Sequence, residues 1–499
     1  MFKAAPLFGD HAILPLGKEL RIFGTADECE VIRARLTAAD GTVTGEGEGA
    51  AHSGRFLIHL PPQRAEQGPL TLTLTSAAMT WTAVDWQVGY LFLAGGQSNM
   101  EWSLWNAEGG QEIIRTHQDA ALRYFNVPRV SLEDEVAQAA HAAAHWQQIA
   151  PHQGGDMSAV AYFFATEVRR RTGLPVGIIG CNWGGTSILS WMDEAALHRC
   201  IPALQAAEEY ERQYGHITLP EWQSQQDAFQ AAMDAWNKQV EAIKAAQPGI
   251  EWAEVEKQAG ACPWNPPPGP GSPYRPGQLA RTMVASIVPA ALTGVLFYQG
   301  ESDVAERAAC YAELLITLVL RWRELFGDAT LPFYNVQLPM YIDANAQDDH
   351  GWAILRQQQE MALHALRNSH LAVMIDAGEY GNIHPVDKRT PGQRLARLFL
   401  EQVEQTAPAQ PWAVGKSTRG NVLTVEVTHP LRGEPDLFEV AGEDGVYVPA
   451  CAVLEDCCIH LTAEGVAHPA KARYAWVNWG RVHVYGETGL PLAPFVLDD

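Results

Sequence analysis

A chain of 499 residues exceeds one ordinary domain, and a prior of about 150 residues per domain suggests about two to four. With 35 basic against 58 acidic residues the formal charge is −23, which argues against nucleic acid or an anionic membrane surface as a partner, since both require clustered cations. The eight cysteines show no C-x-x-C pair or regular spacing, and no window approaches the roughly 18 apolar residues of a membrane span, so a disulfide framework, a structural zinc site and a membrane helix are all unsupported.

At the start, Gly9-Asp10-His11 interrupts the apolar stretch that a signal peptide would need. The expected location is therefore the cytoplasm, or outside the cell if a leader has been removed. Residues 1–87 hold short alternating segments, among them Leu20–Gly24, Glu30–Leu36, Gly54–Leu60 and Leu70–Thr75. Turns at Ala39-Asp40-Gly41 and Pro61-Pro62 separate them, and this pattern predicts a small N-terminal β-sandwich.

From 88 to 410 apolar strands alternate with longer helical segments. The predicted strands are Val88–Ala94, Val176–Cys181, Gly294–Tyr298, Leu331–Leu338 and Leu371–Ile375. Between them lie predicted helices at Ser158–Arg171, Pro276–Ile287, Glu306–Phe326, Gly351–Leu366 and Pro391–Val403. That order predicts a parallel sheet covered by helices on both faces. Residues 195–275 interrupt it with a charged, Ala/Gln-rich helical insertion that ends in the Pro/Gly-rich stretch Cys262–Pro276. Residues 411–499 return to β character and are expected to form a C-terminal β domain.

Ligands of open parallel sheets bind beyond the carboxyl ends of the strands. Four of the five predicted strands run into polar turns there: Gly95-Gly96-Gln97-Ser98-Asn99, Asn182–Ser187, Gln299-Gly300-Glu301-Ser302-Asp303, and the segment from Asp376 to His384-Pro385. Ser98 does not sit in a G-x-S-x-G elbow, which argues against an α/β-hydrolase. A serine and a histidine each placed just past a strand supply what nucleophilic acyl transfer needs. No H-E-x-x-H or comparable set suggests a metal, and no cofactor is expected.

The chain resembles the sialate O-acetylesterase family of the SGNH (GDSL-like) hydrolase superfamily over nearly its whole length. The resemblance rests on Gly95–Trp102 (GGQSNMEW), Val176–Trp191 (VGIIGCNWGGTSILSW), Gly294–Asp303 (GVLFYQGESD), Pro332–Leu338 (PFYNVQL), Leu355–Gln359 (LRQQQ), Ile383–Leu395 (IHPVDKRTPGQRL), and a tail with Tyr474-Ala-Trp and Gly489–Phe495. It implies a flavodoxin-like, three-layer α/β/α catalytic domain with a parallel sheet, flanked by all-β accessory regions. It also implies Ser98 as nucleophile and His384 as general base, then acid.

The position three before the histidine, where SGNH enzymes usually carry Asp, is Gly381; two before, it is Asn382. By the resemblance to acetylxylan esterases the assisting acid becomes Glu301, with Asp376, Glu379, a backbone carbonyl or a bare Ser–His dyad as alternatives. The implied oxyanion donors are the N–H groups of Ser98 and Gly184, with Gly185 competing, and the side chain of Gln299. Trp102 and Trp183 are candidate sugar platforms, followed by Trp105, Trp191 and Trp264, while Arg356 and Gln337 are candidates to reach the pocket. The function expected is hydrolysis of sugar acetyl esters, in sialic acid, xylan or another acetylated carbohydrate. A general short-chain esterase and a non-catalytic carbohydrate-binding protein are the alternatives, and the oligomeric state is open.

Overall fold

A continuous strand, β1 (Thr80–Gly96), ties the N-terminal third of the chain to the catalytic region. The computed structural model describes residues 1–344 and 346–498, apart from the side chain of Ala253. The first half of β1 pairs antiparallel with Leu70–Thr75 of the N-terminal β region. Its second half is the centre of a parallel array, so the change in sequence pattern near residue 87 falls within one strand.

The array is completed by β2 (Asp119–Asn126), β3 (Gln147–Ile149), β4 (Val176–Asn182), β5 (Gly294–Tyr298), β6 (Phe333–Val336) and β7 (Ser369–Ala372), in the spatial order β3-β2-β4-β1-β5-β6-β7. All neighbours are parallel except β3, which runs antiparallel to β2 at the edge. The sheet is thus mixed rather than purely parallel. Both β2 and β3 escaped the sequence reading: β3 is a short Gln-Gln-Ile, and an antiparallel edge strand is a common addition to a parallel sheet. β7 begins and ends earlier than expected because Val373–Ile375 lies beyond the ladder, with Val373 and Ile375 packed into a separate core with the C-terminal β region and Met374 into the main core.

Aromatic side chains mark the two covered faces. On one, Phe92 of β1 meets Phe164 of helix α1 (Ala159–Thr172) and Phe399 of helix α2 (Arg389–Glu404) edge to face. On the other, Phe297 and Phe333 pack on Trp322 of the helix Tyr311–Leu325. Fully burying such a side chain contributes about 1.5–3 kcal/mol, so three layers follow from strands that are apolar on both sides. Ser158 caps α1 by accepting from the Ala161 N–H, and Gly173 closes it in the left-handed region.

The expected helix over Glu306–Phe326 is broken, with short turns at Glu301–Asp303, Val304–Arg307 and Ala308–Cys310 before the regular helix begins. The insertion forms helices at Glu194–Arg199, Ile201–Tyr214, Leu219–Ala246 and Trp252–Ala259, followed by an irregular Pro-rich stretch that returns toward the sheet. Among the described residues no helix is long and apolar enough to cross a membrane.

Candidate active site

Register in the ladder aligns the ends of three central strands. Gly96 of β1 pairs with Asn182 of β4 on one side and with Tyr298 of β5 on the other. Gly96 has φ +136°, and a Cβ there would lie 2.0 Å from the Tyr298 carbonyl oxygen, so only glycine lets the chain leave the sheet at this point. The next residues turn into the single helical turn Ser98–Glu101, and Ser98 stands at its first position. The side-chain oxygen of Gln97 fastens this turn to the loop after β5, accepting from Gln299 Nε2 at 3.1 Å, the Gly300 N–H at 3.4 Å and the Ser302 N–H at 3.3 Å.

His384 arrives from the loop after β7. Its Nε2 lies 2.9 Å from Ser98 Oγ, the contact a general base needs. Within the loop the His384 N–H donates to Asn382 Oδ1, while Glu379 accepts from Asn382 Nδ2 and from the Val386 N–H. The imidazole stacks on the indole of Trp102, with centroids 5.2 Å apart. Burial, reinforced by the nearby Lys388 ammonium, pushes the His384 imidazole down to about 4 and so favours its neutral form.

None of the three candidate acids bonds to His384. Glu301 is buried and its Oε1 accepts from Asn99 Nδ2 at 2.5 Å; burial raises its pKa above the usual carboxylate range. Asp376 forms a bidentate pair with Arg394. Glu379 is committed to the loop itself, as above. Among the described residues Ser98 and His384 therefore form a two-member contact.

The oxyanion candidates are placed unequally. Gly184 faces the serine, since a Cβ there would lie 3.4 Å from Ser98 Cβ, but its N–H donates to the carboxylate of Glu101, which also pairs with Arg129. Gly185 turns the other way, toward Trp264 and Tyr274. The Gln299 amide is taken by Gln97, by the Thr186 carbonyl at 3.2 Å and by Asp303 at 2.6 Å. Asp303, wholly buried, also accepts from Ser187 Oγ, the Ile188 N–H and Arg307, joining the loops after β4 and β5.

Of the aromatic candidates, Trp102 flanks His384, and Trp183 follows β4, its N–H bonded to the Gly96 carbonyl. Trp264 is 52% exposed, and its ring would lie 2.6 Å from a Cβ at Gly185, so the Pro-rich stretch reaches the turn after β4. Trp105 is exposed near Gly155, whereas Trp191 is fully buried and donates to Thr186 Oγ1. Arg356 does not reach the site. It is buried and its guanidinium donates to the carbonyls of Ala475 and Val477, tying helix Gly351–Ala365 to the C-terminal β region. Gln337 is equally buried and donates to the Arg356 carbonyl at 3.5 Å.

Sequence reasoning passed over Asn99 and Lys388 as functional residues. Asn99 is wholly buried beside the serine and donates to Glu301 and to the Ile383 carbonyl, while its Oδ1 accepts from Lys388 Nζ at 2.5 Å. The available signal was local: an amide next to the serine and a lysine four residues after the histidine. Among the described residues no group of three or more His, Cys, Asp or Glu side chains is arranged to hold a metal ion.

Residues 262–401 match a family described as carbohydrate esterase, sialic acid-specific acetylesterase, a span that includes His384 and Lys388 but not Ser98. The sialate O-acetylesterase of Rattus norvegicus is 25% identical over 438 residues, 79% of this chain and 72% of that one. That of Homo sapiens is 24% identical over 373 residues, 69% of this chain and 60% of that one. A carbohydrate acetylesterase from Xanthomonas citri has a similar structure, with a TM-score of 0.76 and 26% identity over 100% of both chains.

Proposed function

We propose that the chain, whose residues 262–401 match the carbohydrate esterase family of sialic acid-specific acetylesterases, removes O-acetyl groups from carbohydrate through an acyl-enzyme on Ser98. The observation that carries the reading is the 2.9 Å contact between Ser98 Oγ and His384 Nε2 on the rim formed by the strand ends. Ser98 Oγ attacks the acetyl carbonyl while His384 takes its proton. The tetrahedral intermediate collapses, the C–O bond to the sugar breaks, and His384 returns the proton to the departing sugar oxygen. A water deprotonated by His384 then attacks the acetyl-serine, releasing acetate and restoring Ser98.

The developing negative oxygen is met by the Ser98 N–H at the start of its helical turn, whereas the Gly184 N–H is held by Glu101, which also pairs with Arg129. Each such donor is worth about 2.7–4 kcal/mol in comparable sites. Gln299 serves from behind, holding Gln97 and the turn after β4. Glu301 supports the histidine loop through Asn99 rather than through the imidazole. Trp183 and Trp264 offer flat faces to a sugar ring, while Trp102 is taken up by His384 and Lys388. The β regions on either side of residues 88–410 are accessory to this chemistry.

The test is acetate release from O-acetylated sialic acid, acetylated xylo-oligosaccharides and 4-nitrophenyl esters of increasing chain length, for the wild type and Ser98→Ala. Release from acetyl sugars that vanishes in Ser98→Ala is the expected result. Equal rates in the two proteins would end the reading, and a preference for long acyl chains would replace it with a general esterase.

A further inference from the structure

Lys388 is 2% exposed, and its Nζ has a neutral amide oxygen, Asn99 Oδ1, as its direct acceptor. Buried ammonium groups normally pair with a carboxylate, because water no longer offsets the charge. Here the nearest acid is reached through an intermediary: Asn99 Nδ2 bonds to Glu301 Oε1, so the order is Lys388–Asn99–Glu301. The same Asn99 amide donates to the carbonyl of Ile383, the residue before His384, at 3.0 Å. One side chain next to the nucleophile thus holds the loop that carries the base.

The ammonium also lies 5.3 Å from the centroid of the Trp102 ring, and that indole stacks on His384. The ionisable groups acting on it are Glu301 from the turn after β5, Glu379 and Asp387 from its own loop, and His384, which stacks on the same indole. Burial outweighs the three acids and lowers the lysine to about 7.

We propose that Lys388 is a positioning residue for the reaction: it fixes Asn99 as a latch between the nucleophile turn and the histidine loop, and as a cation against the Trp102 ring, near His384, it favours the neutral imidazole that accepts the Ser98 proton. The proposal rests on the Ser98 esterase reading. The latch supplies the positioning that a carboxylate partner would give, while the cation, opposite in sign to a carboxylate, sets the protonation of the imidazole. Because a like charge disfavours the imidazolium, removing the cation raises the histidine and moves the acid limb of activity to higher pH.

The experiment measures kcat and KM for 4-nitrophenyl acetate against pH in wild type, Lys388→Met, Lys388→Gln and Asn99→Ala, with thermal midpoints as a check on folding. Lys388→Met is expected to lose roughly 10²-fold in kcat with little change in KM, as small misplacements of reacting groups do. Its acid limb is expected to rise by about one pH unit. Lys388→Gln keeps a donor for Asn99 without the charge, so its limb rises equally but its kcat falls less. Asn99→Ala keeps the charge and loses the latch, so kcat falls while the limb does not rise. Acid limbs unmoved in both lysine variants, or wild-type kcat in Asn99→Ala, would overturn the proposal. Should Lys388→Met not fold, Lys388→Gln and Asn99→Ala still decide it. Failure of the underlying reading would show separately, as a wild type whose Ser98 is not labelled by a fluorophosphonate.

Discussion

Ser98 leaves a strand that is paired on both sides, whereas His384 rides on a loop with no regular structure of its own. The serine's position follows from the sheet: Gly96 sits against Tyr298, Gln97 is bonded into the next loop, and a helical turn begins at once. The histidine's position follows from three contacts with other parts of the chain: Asn99 on Ile383 and Trp102 on the ring, both from the nucleophile turn, and the Glu108 N–H on the Val386 carbonyl. A nucleophile fixed by a core and a base fixed by a loop should respond differently to damage, even though both act at one point.

The largest effect should fall equally on both. Ser98→Ala and His384→Ala are each expected to lower kcat about 10⁴-fold or more, and the double variant little further, because the two act as a unit. Additive losses measured on 4-nitrophenyl acetate would mean that one of them works outside the pair.

The two sides should then part in stability. Gly96→Ala forces a Cβ to 2.0 Å from the Tyr298 carbonyl at φ +136°, inside the sheet. We expect a cost of roughly 3 kcal/mol or more, read as a lower thermal midpoint together with lost activity. Gly378→Ala places a Cβ 1.9 Å from the Met340 carbonyl but on the histidine loop, which can yield. There kcat should fall about tenfold or more while the midpoint drops less. Equal midpoint losses would erase the distinction between core and loop.

The pH profile sharpens the histidine side. His384 is active as the free base, and its environment lowers it to about 4, so kcat/KM should stay level down through pH 5 and fall as pH drops through about 4. A limb near the ordinary histidine value of about 6.5 would show that the loop opens to water in solution. The smallest effect expected is that of Glu379→Gln, which weakens the bonds to Asn382 and Val386. A loss of about three- to tenfold in kcat corresponds to about 0.7–1.4 kcal/mol, the net worth of one ordinary hydrogen bond, and no loss would remove Glu379 from the support of the loop.

Much of this was legible in the chain, for stated reasons. Four strands of the central sheet announce themselves as apolar runs because both faces are buried, β7 shows in that way only through Leu371 and Ala372, and the strand ends carry glycines and amides that no core would require. β2 and β3 were not legible: Asp119–Asn126 begins polar, and an edge strand of three residues has no periodicity to detect. Trp191 and Arg356 show the limit for side chains, since each lies within a segment that resembles the family's site, yet one is turned into the core and the other into a neighbouring β region.

Local pattern alone determined where the serine and the histidine would emerge, because strand burial and glycine turns are encoded over a few neighbouring residues. Which groups support them was decided only in three dimensions. Asn99 meets Glu301 and Lys388 across separations of 202 and 289 residues, and Glu101 reaches Gly184 across 83. Hydrogen bonds of a few ångströms between segments so far apart depend on how the loops pack over the sheet, and no sequence period records that.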